Sequence, residues 1–173
     1  MDSNIKLRIL TGDDAEIWRV LRLEAIENEP EAFSSCEEDH HKLTLAEIKS
    51  RISSDTSNFV FGAFIGDRLL GMAGFYRDKG RKSEHKGHVW GVYVTREARG
   101  KGVGRALMNA VIERGTQVKG IDLVEISVAV TQTAATELYR SLGFETFGRE
   151  PCALKVNGRY IDEEHMVMFV NRP

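Results

Sequence analysis

A glycine-rich run, Arg99-Gly100-Lys101-Gly102-Val103-Gly104, sits between two segments of different periodicity and constrains the fold more than any other stretch. Before it, Trp90-Gly91-Val92-Tyr93-Val94 reads as a strand. After it, Val103, Ala106, Leu107, Ala110 and Val111 recur at spacings of three and four, the mark of an amphipathic helix. A strand-to-helix turn of this kind leaves the first backbone N–H groups of the helix without intrahelical partners. With the positive end of the helix dipole, they form an anion site suited to a pyrophosphate. Arg99, Lys101 and Arg105 add positive charge there, and arginine can grip a phosphate through two parallel hydrogen bonds. A phosphate-bearing ligand is therefore expected at Arg99, Gly100, Lys101, Gly102, Val103, Gly104 and Arg105.

Two common nucleotide motifs do not fit. A P-loop needs Lys-Ser or Lys-Thr after its glycines, and none follows here. A dinucleotide fingerprint, G-x-G-x-x-G, would end on Arg105 if counted from Gly100 and on Leu107 if counted from Gly102. The spacing present, Arg-x-x-Gly-x-Gly, resembles the acyl-CoA pyrophosphate loop of the GNAT superfamily of N-acetyltransferases. A second segment strengthens the likeness. Val124, Ile126 and Val128 alternate as in a strand, and Gln132 to Glu145 follows, with Leu138-Tyr139 and then Gly143-Phe144-Glu145. That order resembles the GNAT region carrying the pantetheine arm and a catalytic tyrosine. The two motifs cover roughly residues 88 to 145, and the chain is similar to small, single-domain members of bacterial type.

The resemblance implies an N-acetyltransferase that moves an acetyl group directly from acetyl-CoA to a primary amine. The backbone of Val92, Tyr93 and Val94 would pair with the pantetheine arm, and an N–H of that strand would polarise the thioester carbonyl. Tyr139 takes the general-acid position. A phenol of pKa ~10 can donate to a leaving thiolate whose conjugate acid lies near ~8.5. A core tyrosine on a short helix is the plain alternative. Gln132 stands where many relatives have an asparagine that bonds the pantetheine. Ser127 stands where several carry a glutamate base, and a serine is no comparable base. Glu84, His85, His88 and Glu125 are near in sequence but not placed by spacing, so the base stays unassigned.

The length of 173 residues predicts one domain, 1–173, large enough for a proper core. A net charge of −2 gives no global reason for binding nucleic acid or an anionic membrane. No apolar run approaches the ~18 residues of a membrane span. Met1-Asp2-Ser3-Asn4 lacks a leader pattern, so a cytoplasmic location is expected. Cys36 and Cys152 read as reduced thiols, and the histidines show no metal-ligand spacing, so no metal is expected.

Ile5 to Leu10 alternates as a first strand. Thr11-Gly12-Asp13-Asp14 and Thr44-Leu45-Ala46-Glu47 read as capping boxes for two helices, the first burying Ile17, Trp18, Leu21 and Ala25. Phe59–Ile65 and Leu69–Tyr76 form a hairpin around Gly66-Asp67, and Asp78 to Gly87 is a polar loop. Asn157-Gly158 marks a second hairpin. The order β-α-α-β-β-β-α-β-α-β-β gives an α+β class. It matches a GNAT-like three-layer fold: a mixed, mostly antiparallel central sheet flanked by helices, with strands joined by one helix parallel. Between Leu23 and His41 there is no lysine or arginine, while Glu24, Glu27, Glu29, Glu31, Glu37, Glu38 and Asp39 fall there. With Asp162, Glu163 and Glu164, they suggest acidic walls for a small cationic amine, with Phe33 and Tyr160 as pocket aromatics. The partners so implied are acetyl-CoA and that amine, with a homodimer open. Acetylation of a protein or peptide, and an acyl-CoA-binding module without turnover, are the alternatives.

Overall fold

The computed structural model describes residues 5–170; the leader reading falls on residues 1–4, outside them. β1 (Lys6–Ile9) leads through a short 3-10 turn into α1 (Ala15–Asn28), followed by α2 (Glu37–Lys42) and α3 (Leu45–Ile52). Next come β2 (Asn58–Ile65), β3 (Arg68–Arg77), β4 (Lys86–Val94), α4 (Val103–Thr116), β5 (Leu123–Ala129), α5 (Thr133–Ser141), β6 (Glu145–Val156) and β7 (Arg159–Phe169). The seven strands form one sheet in the order β1-β2-β3-β4-β5-β7-β6. Every neighbouring pair is antiparallel except β4 with β5. The expected α+β, three-layer arrangement is therefore present.

Each face of the sheet has its own core. On one, Trp18, Leu21, Ala25 and Ile26 of α1 pack with Ile48 and Ile52 of α3 against Val60, Met72 and Tyr93. On the other, Val103, Leu107, Met108 and Val111 of α4 and Tyr139 of α5 meet Phe59, Phe75, Val89, Val124 and Ile126. Trp18, Phe59 and Phe75 are fully buried, and each contributes about 1.5–3 kcal/mol by leaving water.

Three details differ from expectation. Between the two expected helices lie a 3-10 turn opened by Pro30 and a short additional helix, α2, with Cys36 at its N-cap. Ile17 is exposed, and Arg22 joins the buried stripe of α1 in its place. The polar loop ends sooner, with β4 already formed at Lys86, because Lys86, Gly87 and His88 pair with Leu123, Val124 and Glu125. The second hairpin turns at Asn157-Gly158 as read, both with positive φ.

Candidate active site

The glycine run ends in an open helix N-terminus. Gly102 is the N-cap of α4 at φ +79°, a left-handed conformation that L side chains resist, and it offers no side-chain cap. The first intrahelical bond runs from Ala106 N to Gly102 O at 3.0 Å, leaving the N–H groups of Val103, Gly104 and Arg105 for a ligand. No acidic residue lies in that first turn. Val103 is buried, so it can contribute only through its backbone. Gly104 is helical, and a Cβ there would meet Leu138 Cδ2 at 3.6 Å, an ordinary contact. Lys101 is exposed. Arg105 donates to Ser141 Oγ at 2.7 Å. Arg99 donates to Val94 O at 3.0 Å and pairs with Glu29 at 2.9 Å, so it would exchange a carboxylate to reach a phosphate.

Beside this terminus the sheet splits. The parallel ladder between β4 and β5 has three pairs and ends at His88 and Glu125. Val92, Tyr93 and Val94 lie beyond it, held to β3 on one edge with the other edge unladdered. Within that stretch β4 bulges: Trp90 faces Gly74 and Tyr93 faces Met72, so Gly91 and Val92 share one position, with Gly91 at φ +64°. An extended arm can add to this edge as a strand would. The Tyr93 side chain turns the other way, donating to Glu24 at 3.0 Å and accepting from Asn28 at 3.4 Å. Gln132 caps α5, its carbonyl accepting from Ala135 N and Thr136 N.

Tyr139 is buried in the core on the α4 face of the sheet, its ring 6.2 Å from that of Phe144. Burial alone pushes its phenol well above the ordinary value, so it is protonated throughout the neutral range. Its hydroxyl has no hydrogen-bond partner among the described residues, which leaves its proton available to a ligand atom.

The opposite face of the split opens into a cleft of about 1160 Å³ between the α1–α3 layer and the sheet. Strand alternation brings Tyr76, His88, Glu125, Ser127, Glu163 and His165 to it. His88 stacks on Tyr76 and stands 3.4 Å from Asp78 and 3.8 Å from Glu125, while Glu125 pairs with Lys86 at 2.8 Å. Ser127 Oγ lies 2.9 Å from His165 Nδ1, and His165 Nε2 lies 3.1 Å from Glu150 Oε2. With Glu150 accepting from Nε2–H, Nδ1 is left as an acceptor for the serine hydroxyl. Ser127, weak as a base by itself, thus sits at the end of a proton path. Burial, with Glu150 adding to it, raises the Glu163 carboxyl, while the nearby His165 opposes that shift.

Of the residues read as acidic walls, only Glu163 lines the large cleft among the described residues. Glu24 is bonded to Tyr93, Glu29 to Arg99, Asp162 to Arg149 and Glu164 to Arg140, so these carboxylates already have partners within the chain. Phe33 lines the cleft, whereas Tyr160 is exposed at the hairpin. Glu84 and His85 are not among its lining. The His165 path was invisible in sequence because strand pairing, 38 positions apart, creates it. The alternation Glu163, His165, Val167 opposite Ser127 was its one available signal.

Among the described residues no group of three or more metal-ligating side chains forms, and no helix is long and apolar enough to cross a membrane. Residues 18–144 match the Acetyltransferase (GNAT) family. A mycothiol acetyltransferase of Renibacterium salmoninarum is 28% identical over 171 residues, 92% of this chain and 48% of that protein. The chain thus spans about half the length of the curated relatives of this kind that it matches. In structure it is similar to a GNAT-family acetyltransferase from Streptococcus pneumoniae, with a TM-score of 0.86 at 20% identity over 96% of this chain and 99% of that one. It is also similar to an acetyltransferase from Salmonella typhimurium solved with its cofactor acetyl-CoA, with a TM-score of 0.81 at 20% identity over 99% and 96%. The uncapped α4 terminus, the split sheet and the match over most of the sequence agree: the chain belongs to the GNAT family of acetyltransferases.

Proposed function

We propose that this chain transfers an acetyl group from acetyl-CoA directly to a primary amine on a small acceptor. The observation that carries the reading is the split between β4 and β5, which leaves without a ladder the stretch of β4 that runs from Gly91, on the cleft, toward the open N-terminus of α4. The pyrophosphate would sit on the N–H groups of Val103, Gly104 and Arg105, with Lys101 beside it and Arg99 released from Glu29. Pantetheine would lie along Val92, Tyr93 and Val94, near Gln132, with the thioester carbonyl at the bulge. Donors fixed in place before reaction stabilise the oxyanion without reorganisation, and usually supply the largest share of the rate.

The acceptor would approach as a cation, drawn by Glu163, and must lose a proton before attack. Freeing an α-amine of pKa ~8 at neutral pH costs only about 1 kcal/mol, against more than ~4 for a lysine-like amine of pKa ~10.4. The path from Ser127 to His165 suits the lighter task. As the tetrahedral intermediate collapses, the carbon–sulfur bond breaks and Tyr139 gives its proton to the departing thiolate.

The test is incubation with acetyl-CoA and a panel of polyamines, amino acids, aminoglycosides and peptides, following free thiol and product mass. Acetylated small amine with equimolar thiol is the expected result. CoA bound with no thiol released would instead identify a binding module, and turnover confined to peptides would overturn the small acceptor.

A further inference from the structure

Among the described residues, Arg22 is an arginine without a polar partner. It projects from α1, is only 6% exposed, and lines the cleft. Among the described residues it makes no ion pair and no hydrogen bond, and its Nη1 is sealed from water without an acceptor. A buried cation left in this way is destabilising, and chains ordinarily place a carboxylate beside it. Here the neighbouring charge is Arg51, of the same sign, also on the cleft. Asp55 lines the same cleft, but its carboxylate already accepts from Ser57 and Asn58 at 2.6–3.0 Å. The guanidinium is instead held in place by the face of Phe33, 4.3 Å below it. Burial lowers its pKa to about 10, which leaves it charged at neutral pH.

Its position gives the missing partner a chemical identity. A Cβ on Gly91 would lie 3.5 Å from Arg22 Nη1, so the guanidinium stands at the bulge of β4, where the thioester carbonyl is placed above. The amine must reach that same carbonyl. An anion bound by Arg22 is therefore only a short distance from the attacking nitrogen. An acid side chain on the sheet wall, Glu163, completes a cleft with opposite charges for opposite ends of one molecule.

We infer that Arg22 anchors a carboxylate of the acceptor, and that the acceptor is an α-amino acid bearing its amine and carboxylate on one carbon. This rests on the acetyl-transfer reading and narrows it.

The experiment compares kcat/KM by thiol release for the common L-amino acids, each beside its carboxamide and its decarboxylated amine, with wild-type protein and with Arg22→Met. At least one amino acid should exceed both of its analogues by about 10- to 100-fold, the range of a charged hydrogen-bonded contact. In Arg22→Met that preference should fall to within about threefold of unity, with a melting temperature at or above wild type because a buried unpaired charge is gone. Amides or simple amines turned over as well as the amino acids by wild type would overturn the anchor while leaving acetyl transfer standing. A preference that survives in Arg22→Met would do the same. No thiol release from any acceptor would overturn the acetyl-transfer reading, and the anchor with it.

Discussion

Tyr139 shows how far one residue can be read before its surroundings are known. Its place in the Leu138-Tyr139 pair was legible, as was the chemistry of a phenol near a thiolate. Its burial and the lack of a partner for its hydroxyl among the described residues were not, because both come from the packing of α5 into the core on the α4 face of the sheet. Those two facts sharpen the expected behaviour of Tyr139→Phe. General acids contribute about 10²–10⁴-fold, and a thiolate is already a tolerable leaving group, so kcat should fall by roughly 10- to 100-fold. Removing a hydroxyl that bonds nothing should leave the neutral melting temperature unchanged. Linkage adds a second signature. Burial raises the folded pKa above the unfolded value of 10.0, so above about pH 10 the unfolded chain releases a proton that the folded one keeps. Stability then falls with rising pH, by at most about 1.4 kcal/mol per unit, and the phenylalanine protein should lose that part of the slope. Denaturant midpoints at neutral and alkaline pH, taken beside kcat, decide it; full activity in the variant would remove Tyr139 from the chemistry. Arg99 was legible as a cation but not as one held by Glu29, since that pair joins residues seventy positions apart.

At the scale of elements, the strand–turn–helix unit around Gly102 was legible because each part carries its own local signal: alternation, glycines, then a three-and-four spacing. What the sequence could not rank was the glycines themselves. Gly102 holds φ +79°, whereas Gly104 is an ordinary helical residue with room for a methyl group. Substitution should separate two roles that a loop motif merges. Gly102→Ala places a side chain in the left-handed region and should cost about 1–2 kcal/mol of stability, and with it the geometry of the anion site. Gly104→Ala should gain up to about 1 kcal/mol from helix propensity. Yet if the pyrophosphate sits against the Gly104 backbone, the methyl group keeps it away, and CoA affinity should fall at least tenfold in a protein that melts no lower. Calorimetric titration with CoA alongside a melting curve reads both. Unchanged affinity in the two variants would move the anion elsewhere.

The layered order of the whole molecule followed from periodicity, but the cleft did not. It depends on where the β4–β5 ladder stops and on β7 entering between β5 and β6, and neither leaves a mark in any single segment. The wall carrying Arg22 depends likewise on contacts between elements. His40 of α2 is buried, with Nε2 3.0 Å from the Arg19 carbonyl of α1 and its ring 5.9 Å from that of Trp18. Asp14, at the entry to α1, takes two 2.7 Å bonds from Arg8 of β1. Both groups tie the helical layer to pH. Burial lowers the His40 pKa below 6.5, with the charges of Arg22 and Arg19 acting in the same direction and the carbonyl bond opposing them. On acidification through 6.5 the unfolded chain therefore binds a proton that the folded chain refuses, and stability falls. The Arg8 bonds lower the Asp14 pKa below 3.8, so its contribution is complete above that value and is lost only on further acidification. Acid unfolding should accordingly begin to cost stability below about pH 6.5, by no more than about 1.4 kcal/mol per unit for the single histidine, and steepen again below about pH 4. Because Trp18 rests against His40, its fluorescence should report the first phase. His40→Gln keeps a donor for the Arg19 carbonyl and takes up no proton, so urea midpoints for that variant should be flat between about pH 7.5 and 5 where wild type declines. Parallel slopes in the two proteins would place the acid sensitivity of this layer on other groups.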